Sequence, residues 1–315
     1  MYNFCTLFDR NYASRGLALY HSLVRVCEQP FRLTIVCMDK ETHRGLSKLA
    51  LPHVRLWLVE DIGDAELLGV RNTRPRREFC WTVPGPLMLA MLKEAGEGEV
   101  VTYLDADLCF FSDPKPVYDE LGDKDIFIHG HRFAPRYQHY EIASGIFNVG
   151  LIAVRNAPEG MACLKHWRAQ CMAVCELNPE KGYCGDQKYL DEWPKLYENL
   201  VVAEHPGICL APWNVEAHDI TEAGGQVMVD GQPLIFYHYH QMQIISAGFW
   251  SKWVVQPARG YDFTEGQIRL LYRPYLAALR KAQGLLNKVG LRSSIPWSSP
   301  RKYYRYMQRN DLLFG

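Results

Sequence analysis

Apolar positions in the first sixty residues switch between two periods. Residues 2–8 (YNFCTLF) form a short apolar and aromatic run that ends at the polar cluster Asp9, Arg10 and Asn11, which predicts a strand. From Ser14 onward, Leu17, Leu19, Tyr20, Leu23 and Val24 recur at helical spacing. Residues 31–38 (FRLTIVCM) read as a second strand, and the alternating residues 53–60 (HVRLWLVE) as a third. This β-α-β order, with a further helix before the third strand, predicts an α/β protein with a doubly wound, mostly parallel sheet.

A loop carrying Arg71, Arg74, Arg76 and Arg77 leads to a predicted helix over residues 87–95. Residues 99–104 (EVVTYL) then form a buried type of strand that delivers Asp105 and Asp107 to its carboxyl end. In open α/β sheets that edge is where ligands gather. Further strands are predicted over 125–129, 145–154, 201–202 and 233–240 (PLIFYHYH), and helices over 158–176 and 185–193. After Pro257 the pattern turns helical, basic and aromatic. The reading is a catalytic domain over residues 1–255 and a basic, aromatic helical segment over 256–315.

Composition narrows the classes. The 315 residues are 48% hydrophobic and 22% charged, an ordinary globular mix. Thirty-five basic residues balance thirty-five acidic ones, so no overall field points to nucleic acid. The balance hides an asymmetry: residues 266–315 hold ten Lys or Arg against the single acid Asp311. No apolar run approaches the roughly 18 residues of a spanning helix. Residues 1–12 lack the basic flank and apolar stretch of a signal peptide. The ten cysteines are scattered without a CxxC pattern, which favours reduced thiols and a cytoplasmic setting.

Asp105-x-Asp107 is a weak motif taken alone, and an Asp-rich turn would read the same way. At the end of a buried strand, however, two carboxylates repel unless a cation sits between them. A divalent ion that also binds a diphosphate would meet that need, because hard oxygens from both sides fill its shell. The chain carries no P-loop, no Gly-x-Gly-x-x-Gly after the first strand, and no Gly-x-Ser-x-Gly elbow. These absences argue against P-loop NTPases, ordinary dinucleotide dehydrogenases and α/β-hydrolases.

Residues 101–114 (VTYLDADLCFFSDP) resemble the Asp-x-Asp region of GT-A glycosyltransferases, above all the retaining family 8 of glycogenin and the bacterial lipopolysaccharide galactosyl- and glucosyltransferases. Five more segments match in order: Phe8-Asp9-Arg10-Asn11-Tyr12-Ala13, Phe147-Asn148-Val149-Gly150, Gly185-Asp186-Gln187, Trp213-Asn214 and His238-Tyr239-His240-Gln241. The similarity spans roughly residues 2–255. It implies the GT-A fold and a metal-dependent transferase moving a sugar from a UDP-sugar to a glycan or lipid-linked acceptor, with retention, in bacterial-type surface polysaccharide synthesis. Two rival readings are a sugar-1-phosphate nucleotidyltransferase and a non-catalytic nucleotide-sugar-binding domain.

The resemblance also implies roles. Phe8, Asp9, Asn11 and Tyr12 would hold the nucleoside, Tyr12 by stacking and Asp9 and Asn11 by reading the polar edge of the base. Asp105, Asp107 and His238 would bind the metal, with Asp105 shared with the ribose and His240 an alternative ligand two residues along. Mixed oxygen and nitrogen ligands favour Mn²⁺, or Mg²⁺, over Ca²⁺. Asp186 would grip sugar hydroxyls, Gln187 would lie near the anomeric carbon, and Asn148 would orient the sugar. A helix N-cap pair after Gly185 reads Asp186 and Gln187 equally well.

Two departures stand out. The helix before the Asp-x-Asp strand lacks the family's basic residue; Arg77 or Arg76 would substitute from upstream, or these arginines form a solvated basic loop and nothing does. The Gly and Lys-Pro-Trp that follow the metal His in the family are replaced by Gln241-Met242-Gln243. Finally, the basic and aromatic C-terminal segment, which includes Arg280, Lys281, Lys288, Arg292 and residues 301–306 (RKYYRY), suits an anionic membrane surface on the cytoplasmic side. It suits equally a helix packed on the catalytic domain with its charges in water.

Overall fold

The computed structural model describes residues 1–247, 252–256, 260–292 and 313–314. The strands that matter here are β1 (Tyr2–Phe8), β2 (Phe31–Cys37), β3 (Val54–Leu58), β4 (Val100–Leu104), β5 (Leu108–Phe110), β6 (Ile126–Gly130) and β7 (Phe147–Arg155). Among the described residues the main sheet has seven strands, in the order Leu200–Val202, β6, β7, β4, β1, β2, β3. All its neighbours run parallel except β7, which is antiparallel to both β4 and β6. The expected mostly parallel α/β sheet is therefore present.

Side chains alternate across this sheet, which is why its strands read as nearly continuous apolar runs. In β1, Phe4 and Phe8 enter the core on one face, together with Leu17 and Leu23 of helix α1 (Ala13–Val26). Cys5 and Leu7 enter the core on the other face, against Leu87 and Met88 of the helix Pro84–Glu94 and Trp167 of the helix Pro158–Ala173. The strands converge so that the carboxyl ends of β1 and β4 open at one edge.

Two predicted elements take a different form. Residues 185–193 do not make a regular helix: a 3-10 turn spans Lys188–Glu192, followed by the short helix Trp193–Leu196. Gly185 explains the difference, because its left-handed φ of 57° breaks the helical path before it starts. Residues 233–240 do not form one strand either. Gln232–Pro233 adds to the hairpin of Ile220–Ala223 and Gln226–Val229, whereas Phe236–His238 pairs with β5. Between them the Ile235 amide bonds the Gly207 carbonyl at 2.9 Å, so the backbone is satisfied outside either ladder.

The helix Arg273–Lys288 lays Leu279, Ala282 and Leu286 into the core and packs against α1. Its Arg273, Arg280, Lys281 and Lys288 face outward. No helix among the described residues is long and apolar enough to cross a membrane. The basic and aromatic cluster at 301–306 lies outside the described residues.

Candidate active site

Asp105 and Asp107 follow β4, and the Asp105 amide is fixed by the Gly150 carbonyl at 2.8 Å. The chain then enters β5, which pairs antiparallel with Phe236–His238 so that His238 sits opposite Leu108. That register brings an imidazole distant in sequence beside the two carboxylates. His238 Nε2 lies 3.3 Å from Asp107 Oδ1 and 3.8 Å from Asp105 Oδ2. One ligand atom from each of the three residues lies within 4.8 Å of the others.

The electrostatics fit a cation site. Burial, with the Asp107 charge added, pushes the Asp105 carboxyl up to about 6. Burial also works against ionising Asp107, but the neighbouring His238 wins and holds it down at about 2. Burial would likewise strip the proton from His238, yet Asp107 and Asp105 raise it to about 10. A proton on the imidazole thus balances the carboxylates, and it is the proton that a metal displaces when it takes an imidazole and two carboxylates as ligands. Two hard oxygens and one borderline nitrogen are a donor set that suits a divalent cation.

His240 stands apart. The strand ends at His238, and His240 lies in the turn that follows, so the two do not share one strand. Their rings are 5.6 Å apart, and both meet Trp213 edge-on at 5.4 Å. His240 is not part of the three-residue cluster, and burial pulls its imidazole down to about 4.

The amides line up beside this cluster. The Gly150 N–H donates to Asn148 Oδ1 at 2.9 Å, which fixes the Asn148 side chain as oxygen toward Gly150. Its Nδ2 therefore points at Gln187 Oε1 (3.2 Å) and at His131 Nε2 (3.3 Å). Gln187 Nε2 donates in turn to the Ser144 carbonyl at 2.8 Å. His131 is held neutral by burial, at about 3, so its Nε2 lone pair can accept. Asp186 is 3% exposed, and burial keeps its carboxyl well above the ordinary range, with Cys175 and Asp105 adding to the effect.

Gly150 is a place of close approach. A Cβ there would lie 2.7 Å from Asn148 Oδ1 and 2.9 Å from His238 Nδ1. Gly150→Ala is therefore expected to displace the imidazole or the amide. Mn²⁺ titration should show a loss of about 10–100-fold in affinity, the usual effect of disturbing the groups that orient a ligand. Unchanged affinity would show that the His238 ring has room to spare.

At the end of β1, Asp9 Oδ1 accepts from the Asn11 and Tyr12 amides at 2.8 and 3.1 Å, and Asp9 Oδ2 pairs with Arg76 at 2.6 Å. The Asp9 carboxylate thus shapes the loop. Tyr12 is 44% exposed, and its ring lies under the Arg15 guanidinium at 4.5 Å. Phe8 is buried against Gly16, so its ring serves the core. Arg77 stacks on Trp81 at 4.9 Å, and the Trp81 ring closes against Gly185, next to Asp186.

No family model matches the sequence. The chain is 33% identical over 250 residues to the uncharacterized protein YfnF of Bacillus subtilis (strain 168), covering 77% of this chain and 82% of that one. It is 28% identical over 283 residues to the uncharacterized protein YfnD of the same strain, covering 89% of each. The chain belongs to the family of YfnF. The solved glycosyltransferase GlyE of Streptococcus pneumoniae TIGR4 matches 95% of this chain and 66% of its own length, with a TM-score of 0.51 at 14% identity. This member of the YfnF family therefore has the GT-A glycosyltransferase fold, as its motif order implies.

Four residues at this YfnF-family site carry little signal in the sequence. Gly150 stands out only as part of its motif. Trp81 and His131 look like ordinary core aromatics. Arg15 lies in the first turn of α1 and is only 7% exposed, and it donates to the Met242 carbonyl at 2.8 Å. The usable signal was its position: a charged residue set among the apolar residues of an otherwise buried helix face. Trp213 and Asn214, by contrast, stand in the motif order and are fasteners. Both donate to the His131 carbonyl, at 2.7 and 2.9 Å, just past the end of β6, and the Trp213 ring meets His238 and His240.

Proposed function

We propose that this protein is a metal-dependent glycosyltransferase that moves a hexose-type sugar from a UDP-sugar to a glycan or lipid-linked acceptor, with retention of the anomeric configuration. The observation that supports this most is the meeting of Asp105, Asp107 and His238 at the ligand edge of a GT-A sheet, with Asn148 and Gln187 alongside. The bound metal would supply Lewis-acid stabilisation of the departing diphosphate. Asp105, Asp107 and His238 would hold it.

The remaining residues bind and orient. Tyr12 offers an exposed ring for a flat base, in a loop that Asp9 and Arg76 hold in shape. Asp186, buried with Trp81 closing over Gly185 beside it, would bind sugar hydroxyls in this reading. Gln187 Oε1 has one lone pair taken by Asn148 and a second left for charge developing at the anomeric carbon. Residues 141–146 border Gln187 through the Ser144 carbonyl and the Lys188 bond to the Ile142 carbonyl, and they belong to the acceptor side in this reading.

In the same reading the catalytic domain ends near residue 255. The outward basic face of Arg273–Lys288 would then meet an anionic membrane surface on the cytoplasmic side, where a lipid-linked acceptor of surface polysaccharide synthesis would be found. Thermal unfolding against a panel of nucleotide sugars with and without Mn²⁺ tests the proposal. A UDP-sugar at about 100 times its dissociation constant should add roughly 2.7 kcal/mol of stability, and only with the metal present. Stabilisation by sugar phosphate and nucleoside triphosphate, with release of pyrophosphate, would instead identify a nucleotidyltransferase.

A further inference from the structure

We infer that Arg15 is a residue that binds the donor's diphosphate. The inference rests on the donor reading above and names the group that grips the donor's charge. Three observations carry it. First, the Arg15 side chain is nearly buried, yet among the described residues it makes no ion pair; its one hydrogen bond there is from Nη2 to the Met242 carbonyl. A guanidinium out of water is costly unless an anion offsets it, and one carbonyl does not supply a negative charge.

Second, its position is that of the donor's phosphates in the proposed mode. The guanidinium lies over the Tyr12 ring at 4.5 Å, on the same loop that would hold the base. Its Nη2 is tied to the Met242 carbonyl, four residues beyond His238, so it borders the loop that leaves the metal cluster. A group between the base platform and the metal cluster is where a nucleoside diphosphate carries its charge. Helix α1 adds to the effect, since it is 14 residues long with no side-chain cap and no acidic residue in its first turn. Its positive dipole end, where Asp9 holds the Asn11 and Tyr12 amides of the preceding loop, also favours an anion there.

Third, the partner of Arg15 is Met242, four residues past His238, in the segment Gln241-Met242-Gln243, which carries no cation of its own. A planar guanidinium can hold the Met242 carbonyl with one edge and a phosphate with the other. The cation thus comes from α1 rather than from the loop after the metal histidine.

The test measures binding of UDP with Mn²⁺, and of uridine, to wild-type protein, Arg15→Met and Arg15→Lys by calorimetry. Arg15→Met should weaken UDP about 10–100-fold and change uridine by no more than about twofold. Arg15→Lys, which keeps the charge without the fork, should fall between the two. It also serves as the reporter if the methionine variant unfolds. Equal UDP affinity in all three proteins overturns the inference, and so does a parallel loss for uridine and UDP, which would mark Arg15 as a prop for the Met242 loop. If the wild-type protein binds no nucleoside diphosphate at all, the donor reading fails first and the inference falls with it.

Discussion

Asp107→Ala should abolish metal-dependent binding of the nucleotide sugar and lower transfer by about a thousandfold or more. The substitution removes the carboxylate nearest His238, 3.3 Å from Nε2, and leaves Asp105 and one imidazole to hold a divalent ion. Two ligands on different elements make a poor site, and the loss of Lewis-acid help at the leaving diphosphate is worth several kcal/mol. At about 1.4 kcal/mol per factor of ten, that is about three decades of rate. The fold should survive, because the contact that ties this turn to its neighbour is from the Tyr239 amide to the Asp107 carbonyl and does not involve the side chain. Mn²⁺ titration, UDP-sugar thermal shift and product formation on one preparation check all three parts. Full turnover with wild-type metal dependence would remove Asp107 from the mechanism, and with it the main support for a cation-centred site.

The parts of this molecule that follow from local patterns were legible. Strand β1 begins and ends where the apolar run does, and β4 delivers Asp105 and Asp107 to the sheet edge as its buried character implies. The partnership of those carboxylates with His238 was reachable only through the resemblance to family 8. No periodicity reveals that β5 and Phe236–His238 will pair, since that pairing depends on residues far apart along the chain. The choice between His238 and His240 had the same origin. A period of two places both on one face, but the strand stops at His238, which no local pattern marks. Tyr239 is drawn to the opposite side, where its ring stacks on Tyr275 at 3.6 Å.

What escaped the sequence reading shares a cause. Arg15 on a helix, Trp81 on another and Gly150 in a strand each have an ordinary structural role in isolation. Their significance comes from what lies across from them: the Met242 carbonyl, Gly185 and His238. Gly185 itself shows the converse. Asp186 and Gln187 could be read as a helix N-cap pair, yet the left-handed turn at Gly185 breaks the helix and leaves both side chains for other use. One faces the buried interior near Asp105, and the other enters the Asn148 network.

That network sets the second large effect. Gln187→Ala should lower the rate of transfer by about 100–1,000-fold, the usual loss when one preorganised dipole is removed from beside a developing charge. UDP affinity should stay within a factor of about three, because Gln187 is tied to Asn148 and Ser144 rather than to the loop that would hold the nucleotide. The physical basis is orientation. The Gly150 N–H fixes Asn148, Asn148 fixes Oε1, and the Ser144 carbonyl fixes Nε2, so the amide has no freedom to turn its donor toward the sugar. Asn148→Asp makes the same point from the other side. It keeps the shape but replaces the donor with an acceptor facing Gln187 Oε1, which should rotate the amide and cost rate without a comparable cost in donor binding. Steady-state kinetics with separate UDP calorimetry distinguish the two quantities. A Gln187→Ala protein that loses UDP affinity and rate together would place this amide in nucleotide binding, whereas unchanged rate would mean the charge at the anomeric carbon is met elsewhere.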